Sequence, residues 1–253
     1  MNKVTLLKNR LNEIADSLKC HPNGLGLLGL GSAGKEFNRM DEYSDLDFFA
    51  IVGEGHKQQF IDNLSWLAHI HEIAWCFKNT TDGYKLLFAD GIFCEFAVFE
   101  PKELRHIPYS QGHFIWRDEG LAEHNCKPVI AAPQHSFDEG FLLGELLTNL
   151  YVGLCRYRRG EQCSAMRFIQ VYAVDRLIRL LDLLQQHDEG IDKDKFCLDR
   201  RVEQRQPEFK QLLMQCSQGA EKCTESAHAM LQFVKQHYSI DKILEQEIRQ
   251  LIY

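Results

Sequence analysis

The hydrophobic period of this 253-residue chain changes near residue 130, and that change restricts the fold more than any other feature. Before it, short apolar runs alternate with turn residues. After residue 136 almost every segment carries apolar residues at helical spacing. Elements of both kinds, segregated along the chain, predict an α+β protein whose second part is all helix.

In the first part, Val4, Leu7, Leu11, Ile14, Ala15 and Leu18 predict an amphipathic helix over residues 3–19, ended by His21-Pro22-Asn23-Gly24. Residues 25–30 and 46–52 read as buried strands, residues 57–69 as a helix and residues 73–77 as a third strand. Residues 84–89 and 92–99 flank Asp90-Gly91 and predict a hairpin with a type I′ turn. On its second arm Phe93, Glu95, Ala97 and Phe99 share one face, and Cys94, Phe96 and Val98 the other. Residues 101–135 hold four of the six prolines and read as irregular structure leading to a linker. Beyond it, residues 137–157, 162–186, 208–218, 222–238 and 240–252 carry helical periodicity, with Gly160, Gly190 and Gly219 as stops.

Asp45 and Asp47 sit one residue apart where the second strand begins. Residues i and i+2 of a strand point to the same side, so the two carboxylates project together. Ionised carboxylates that close repel unless something neutralises them, and a divalent cation such as Mg²⁺, with its preference for hard oxygen ligands and substrate phosphates, does so. Glu95 is the one carboxylate within an otherwise apolar strand and offers a third. Gly31-Ser32 lies between a strand and an expected short helix over residues 33–38. Glycine lets backbone approach a phosphate, and the serine hydroxyl and free amides donate to its oxygens. Each piece alone also fits an ordinary turn or a solvated acid. Their order, strand, Gly-Ser, loop, Asp-Leu-Asp, strand, helix and a later lone acid, points to metal-assisted phosphoryl or nucleotidyl transfer.

That order resembles the nucleotidyltransferase superfamily that includes DNA polymerase β, carried here by Gly31, Ser32, Asp45, Asp47 and Glu95. The chain is most similar to the bacterial antibiotic nucleotidyltransferases. It shares with the lincosamide enzymes a Tyr43-Ser44-Asp45-Leu46-Asp47 block, a Glu95-Phe96 strand and an Arg159-Gly160-Glu161 stretch, and the aminoglycoside adenylyltransferases come next. The loop from Ser32 to Asp45 is longer than in those relatives. The resemblance implies an N-terminal nucleotidyltransferase domain with a mixed β-sheet and flanking helices, residues 1–132, followed by an all-α C-terminal helical-bundle domain, residues 133–253. It implies Asp45, Asp47 and Glu95 as catalytic and metal-binding residues, Glu95 as a ligand or a general base, and Gly31, Ser32, Lys35 and Arg159 as nucleotide-binding residues. The cofactor implied is Mg²⁺, with ATP or another NTP as co-substrate. The reaction implied is transfer of a nucleoside monophosphate, AMP from ATP, to a hydroxyl of a small molecule, a lincosamide or aminoglycoside antibiotic among the options, with the acceptor between the two domains. The alternatives are transfer to a protein side chain and a binding module without turnover. A homodimer stays open.

A formal charge of −7 argues against duplex nucleic acid as a main partner. Residues 1–20 lack the apolar block of a signal peptide, and no stretch of about 18 apolar residues is present, so a cytoplasmic protein without a membrane partner is expected. The nine cysteines form no CxxC pair and are expected to be reduced, mostly buried thiols rather than zinc ligands. Trp66, Trp75 and Trp116 are expected in the core or an interface, with Trp116 in the irregular segment.

Overall fold

A computed structural model describes residues 2–130, 138–184 and 193–253, and the chain divides into two compact units between residues 132 and 133. The architecture is α+β. In the first unit, helix α1 (Lys3–Cys20) starts where Asn2 Oδ1 accepts the Val4 N–H at 3.1 Å. Its Leu7, Leu11, Ile14 and Leu18 recur three or four residues apart and are fully buried. Each such side chain removed from water stabilises by about 1.5–3 kcal/mol.

That stripe covers one face of a six-stranded mixed sheet. The strands are β1 (Gly24–Leu30), β2 (Leu46–Val52), β3 (Ile73–Phe77), β4 (Gly83–Phe88), β5 (Phe93–Phe99) and β6 (His113–Arg117), in the order β3-β4-β5-β2-β1-β6. β2 and β5 run parallel; every other neighbouring pair is antiparallel. Leu46, Phe48, Ala50 and Val52 of β2 and Cys94, Phe96 and Val98 of β5 join α1 in the larger core. On the other face Ile51 and Phe99 build a smaller cluster with Leu28, Leu104, Tyr109 and Leu121, and Phe49 and Ala97 pack against it. By strand alternation Asp47 and Glu95 share this second face, beyond the smaller cluster.

Arg10 interrupts the apolar stripe of α1. Its Nη2 meets Asp90 Oδ2 at 2.7 Å, its Nε meets Glu13 Oε2 at 2.8 Å, and its guanidinium lies 4.4 Å from the Phe88 ring centre. The buried cation thus pins α1 to the β4–β5 turn, satisfied by charge on one side and an aromatic face on the other.

Several local expectations change. Two short helices, α2 (Lys57–Asp62) and α3 (Ser65–Ala68), replace the single helix expected over residues 57–69. Asn63 breaks it: its backbone is extended, and its Oδ1 accepts the Ser65 N–H at 2.9 Å. The Asp90-Gly91 turn is not type I′, because Gly91 has φ +81° while Asp90 keeps a negative φ. Gly91 N–H donates to Phe88 O at 2.9 Å, so Ala89 and Asp90 hold the central positions and Gly91 the left-handed position that follows.

The stretch expected to be irregular contains β6, which pairs with β1 at the sheet edge and carries Trp116 opposite Leu27. Five residues with a histidine at one end and an arginine at the other give no periodic signal; the strand exists through its long-range pairing. The thiols are less buried than expected: only Cys94, Cys216 and Cys223 are, while Cys20, Cys76, Cys163 and Cys197 are exposed. Among the described residues, no helix is long and apolar enough to cross a membrane.

The second unit is helical. Its elements are α4 (Glu139–Arg158), α5 (Gln162–Met166), α6 (Val174–Leu184), α7 (Val202–Arg205), α8 (Lys210–Cys216), α9 (Cys223–His237) and α10 (Lys242–Ile252). Asp138 and Asp241 cap α4 and α10 through Phe141 N–H at 2.7 Å and Ile243 N–H at 2.9 Å. Leu146, Leu150 and Leu154 of α4 form one core with Ile169, Leu177, Leu181, Met230 and Val234. The helix expected over residues 162–186 is not uniform, since residues Arg167–Ala173 wind as a π-helix. Within that segment Gln170 Nε2 donates to Gly219 O and its Oε1 accepts the Gly219 N–H, each at 2.8 Å. Gly160 and Gly219 stop helices with φ +80° and +99°. Gly190, Pro133 and the expected helix ends at residues 137 and 185–186 lie outside the described residues.

Candidate active site

β1 runs out at Leu30 into a tight turn, residues Gly31–Ala33, closed by Gly34 N–H on Gly31 O at 3.1 Å. A Cβ on Gly29 would stand 2.1 Å from Ala33 O, so a side chain there would push the turn off the strand. Gly31 has φ +51°, and a Cβ on it would lie 2.9 Å from Asp47 Oδ2. Glycine at this position therefore both allows the left-handed turn and lets the Asp47 carboxylate reach the turn backbone.

Ser32 is buried, and its hydroxyl donates to the backbone carbonyl of Asp45 at 3.3 Å. The hydroxyl ties the turn to the acidic segment. Past it, the helix expected over residues 33–38 is replaced by a second short turn, residues Phe37–Arg39, with Arg39 Nε on Glu36 Oε2 at 2.8 Å. Lys35 is exposed between the two turns. The approach to β2 is organised by Asp41, whose Oδ1 accepts the Tyr43 N–H and the Ser44 hydroxyl, both at 3.0 Å.

Asp45 and Asp47 are half-buried at the start of β2. Asp47 is the register partner of Leu30 on one side and of Glu95 on the other. Glu95 is in turn the partner of Lys85, and Lys85 of Phe77. Partners in register project to the same face, so Phe77, Lys85, Glu95, Asp47 and Leu30 form one row across five strands. At its outer end Phe77 and Trp75 are exposed and stacked, with ring centres 6.2 Å apart.

Both oxygens of Glu95 are engaged. Lys85 Nζ lies 3.2 Å from Oε2, and Asn79 Nδ2 donates to Oε1 at 3.0 Å. Among the described residues, no three His, Cys, Asp or Glu side chains form a group placed to hold a metal ion. On the opposite face Cys94 registers the local charge: burial pushes its thiol above the usual range, Asp45 and Asp47 push it further, and Arg10 opposes them.

The fold thus brings Gly31, Ser32, Asp45, Asp47 and Glu95 onto three adjoining strand ends. Arg159 belongs to the second unit, where it ends α4 and pairs through Nε with Glu161 Oε1 at 2.9 Å. The sequence reading passed over Lys85 and Asn79. A signal for Lys85 was present: it is the lone cation in β4, facing the lone acid of β5 across the hairpin.

No family model matches the chain, and no curated protein matches it. Among solved structures the chain is similar to an aminoglycoside 6-adenyltransferase from Bacillus subtilis, at 11% identity over 97% of each chain with a TM-score of 0.36. It is also similar to the CD-NTase CdnG of Bradyrhizobium diazoefficiens in complex with GTP, at 10% identity over 98% of this chain and 90% of that one, with a TM-score of 0.26. Likenesses at these TM-scores carry no argument about fold or activity.

Proposed function

We propose that this chain is a Mg²⁺-dependent nucleotidyltransferase that moves a nucleoside monophosphate, AMP from ATP, onto a hydroxyl of a small molecule. One observation carries the reading: the same-side pair Asp45 and Asp47 begins β2 between the Gly31-Ser32 turn and Glu95, its neighbours on β1 and β5. An acidic pair beside a turn that admits no side chain suits a ligand bringing both phosphate oxygens and a cation.

The donor set fits Mg²⁺, which is ordinarily held by one or two carboxylates together with substrate phosphates. Asp45 and Asp47 would hold it. When bound, the ion bridges phosphate oxygens and offsets the charge that develops on them. The Gly31-Ser32 turn takes the phosphate tail: the backbone comes close because Gly31 has no Cβ, and the Ser32 hydroxyl turns from Asp45 O to donate. Lys35, exposed on the following turn, adds positive charge toward the triphosphate. In the reaction the acceptor oxygen bonds to the α-phosphorus, the bond to the bridging oxygen breaks, and pyrophosphate leaves. The hydroxyl proton passes to a base, the role open to Glu95 if it is not a metal ligand. Most of the protein's contribution is positioning and charge neutralisation.

The test is incubation with Mg²⁺ and NTPs labelled at the α-phosphate, against a panel of hydroxyl-bearing small molecules that includes lincosamides and aminoglycosides. Label on a small molecule, lost in Asp47→Ala, is the expected result. Label on protein would move the acceptor to a side chain. Absence of transfer together with absence of Mg²⁺-dependent NTP binding would overturn the proposal and leave a binding module.

A further inference from the structure

Glu95 has two neighbours in its row, and they differ in sign. Asp47 flanks it on β2 and Lys85 on β4. The lysine therefore stands on the side of Glu95 away from Asp47, one strand spacing of about 4.8 Å further out. It engages Oε2 at 3.2 Å, while Asn79, from the segment between β3 and β4, engages Oε1 at 3.0 Å. Both contacts draw the carboxylate outward along the row. Like-charge repulsion from Asp47 acts in the same direction.

We propose that Lys85, with Asn79, is a positioning residue that holds Glu95 away from the metal held by Asp45 and Asp47, leaving Glu95 to accept the proton of the acceptor hydroxyl. This rests on the nucleotidyl-transfer reading and decides between the two roles that reading leaves to Glu95. The physical reason is competition between cations. A Mg²⁺ ion that took Glu95 Oε2 as a ligand would sit beside the Lys85 ammonium, and two cations on one carboxylate oxygen repel. Asp45 and Asp47 face no such competitor among the printed register partners, since Asp47 lies between Leu30 and Glu95. Each Glu95 oxygen still has a lone pair beyond the one used by its partner, so the clamp aims the group without consuming it as an acceptor. The chemistry balances: Glu95 gains one proton as the acceptor oxygen bonds to phosphorus, and releases it to water after pyrophosphate departs.

The experiment reads Mn²⁺, standing in for Mg²⁺, by the paramagnetic resonance of the free ion, with a non-transferable α,β-methylene ATP as nucleotide and no acceptor. Lys85 and Glu95 are both about two-fifths exposed, so Lys85→Met is expected to fold, and a thermal melt checks this. Lys85→Met should bind Mn²⁺ about three- to fivefold more tightly as Glu95 becomes free to join the metal, the scale set by a half-exposed ion pair. The gain should disappear in Lys85→Met combined with Glu95→Gln, and Lys85→Arg should restore wild-type affinity. Glu95→Gln alone should leave affinity within about twofold of wild type, while Asp47→Asn weakens it at least about tenfold. If Glu95→Gln weakens Mn²⁺ as much as Asp47→Asn does, Glu95 is already a ligand and the inference is overturned. No gain in Lys85→Met overturns it equally. If wild type binds no Mn²⁺ with the nucleotide, or Asp47→Asn binds as wild type does, the nucleotidyl-transfer reading itself falls.

Discussion

Asp47 on β2 and Glu95 on β5 are direct register partners in the only parallel pair of the six-stranded sheet. In a parallel pair both strands enter from the same end. The two acids therefore arrive together at the end of the sheet where β1 leaves through the Gly31-Ser32 turn. Strand alternation puts them on one face, and the smaller apolar cluster stops short of them.

Replacing Asp47 by Asn should separate chemistry from folding. The side chain is half-buried and stands beside another acid, so removing its charge relieves repulsion. Stability should change by no more than about 0.5 kcal/mol, while transfer falls at least about a hundredfold. Denaturant unfolding and the labelled-NTP assay measure the two. An equal loss of stability and activity would assign Asp47 a structural role instead.

Gly31→Ala should damage both properties. The left-handed φ of +51° costs a side chain about 1 kcal/mol, and the new Cβ meets Asp47 Oδ2 at 2.9 Å. The carboxylate must move, so nucleotide-dependent Mn²⁺ affinity should drop about tenfold. Normal Mn²⁺ binding by a folded Gly31→Ala protein would show that the turn and Asp47 are not coupled.

Arg10→Ala should be among the costlier single substitutions in the first unit. It removes a buried cation that meets Asp90 at 2.7 Å and packs 4.4 Å from Phe88. The expected loss is about 2–4 kcal/mol. A double-mutant cycle with Asp90→Asn should show coupling of about 1–2 kcal/mol, and additive effects would mean that packing alone holds α1 to the hairpin turn.

Glu100 supplies a pH dependence. Its Oε1 accepts the Gly55 N–H at 2.8 Å and its Oε2 lies 3.2 Å from Lys102 Nζ. The backbone hydrogen bond first, then Lys102, hold the carboxyl below its ordinary value of 4.5. A depressed folded-state value means that the stabilisation is fully present above 4.5 and is lost as pH falls from there through the folded-state value. Wild type should therefore exceed Glu100→Gln in stability at neutral pH, and the two should converge in acid. Parallel acid limbs in urea titrations would remove Glu100 from that account.

The strands β1, β2, β3 and β5 and the helix α1 were legible because each carries a local period: alternation in a strand, recurrence every three or four residues in the helix. The exceptions show where local signals end. Asn63 splits a helix by using its side chain as a backbone partner, a choice invisible to hydrophobic spacing. β6 has too little alternation to announce itself and forms because β1 offers an edge. The turn at Asp90-Gly91 was placed correctly and its geometry was not, because the negative φ of Asp90 depends on the pairing that closes the hairpin.

The candidate site divides along the same line. That Asp45 and Asp47 point the same way, and that Gly31 precedes them at a strand end, follows from residue spacing alone, since the period of a strand is a property of its own backbone. That Glu95 stands against Asp47, that Lys85 and Asn79 hold it, and that Ser32 donates to Asp45 O were decided by register and turn packing. Register is a relation between segments far apart in the chain. It is set by which hydrogen-bonding edges and apolar faces meet when the sheet assembles, and no single segment carries that information.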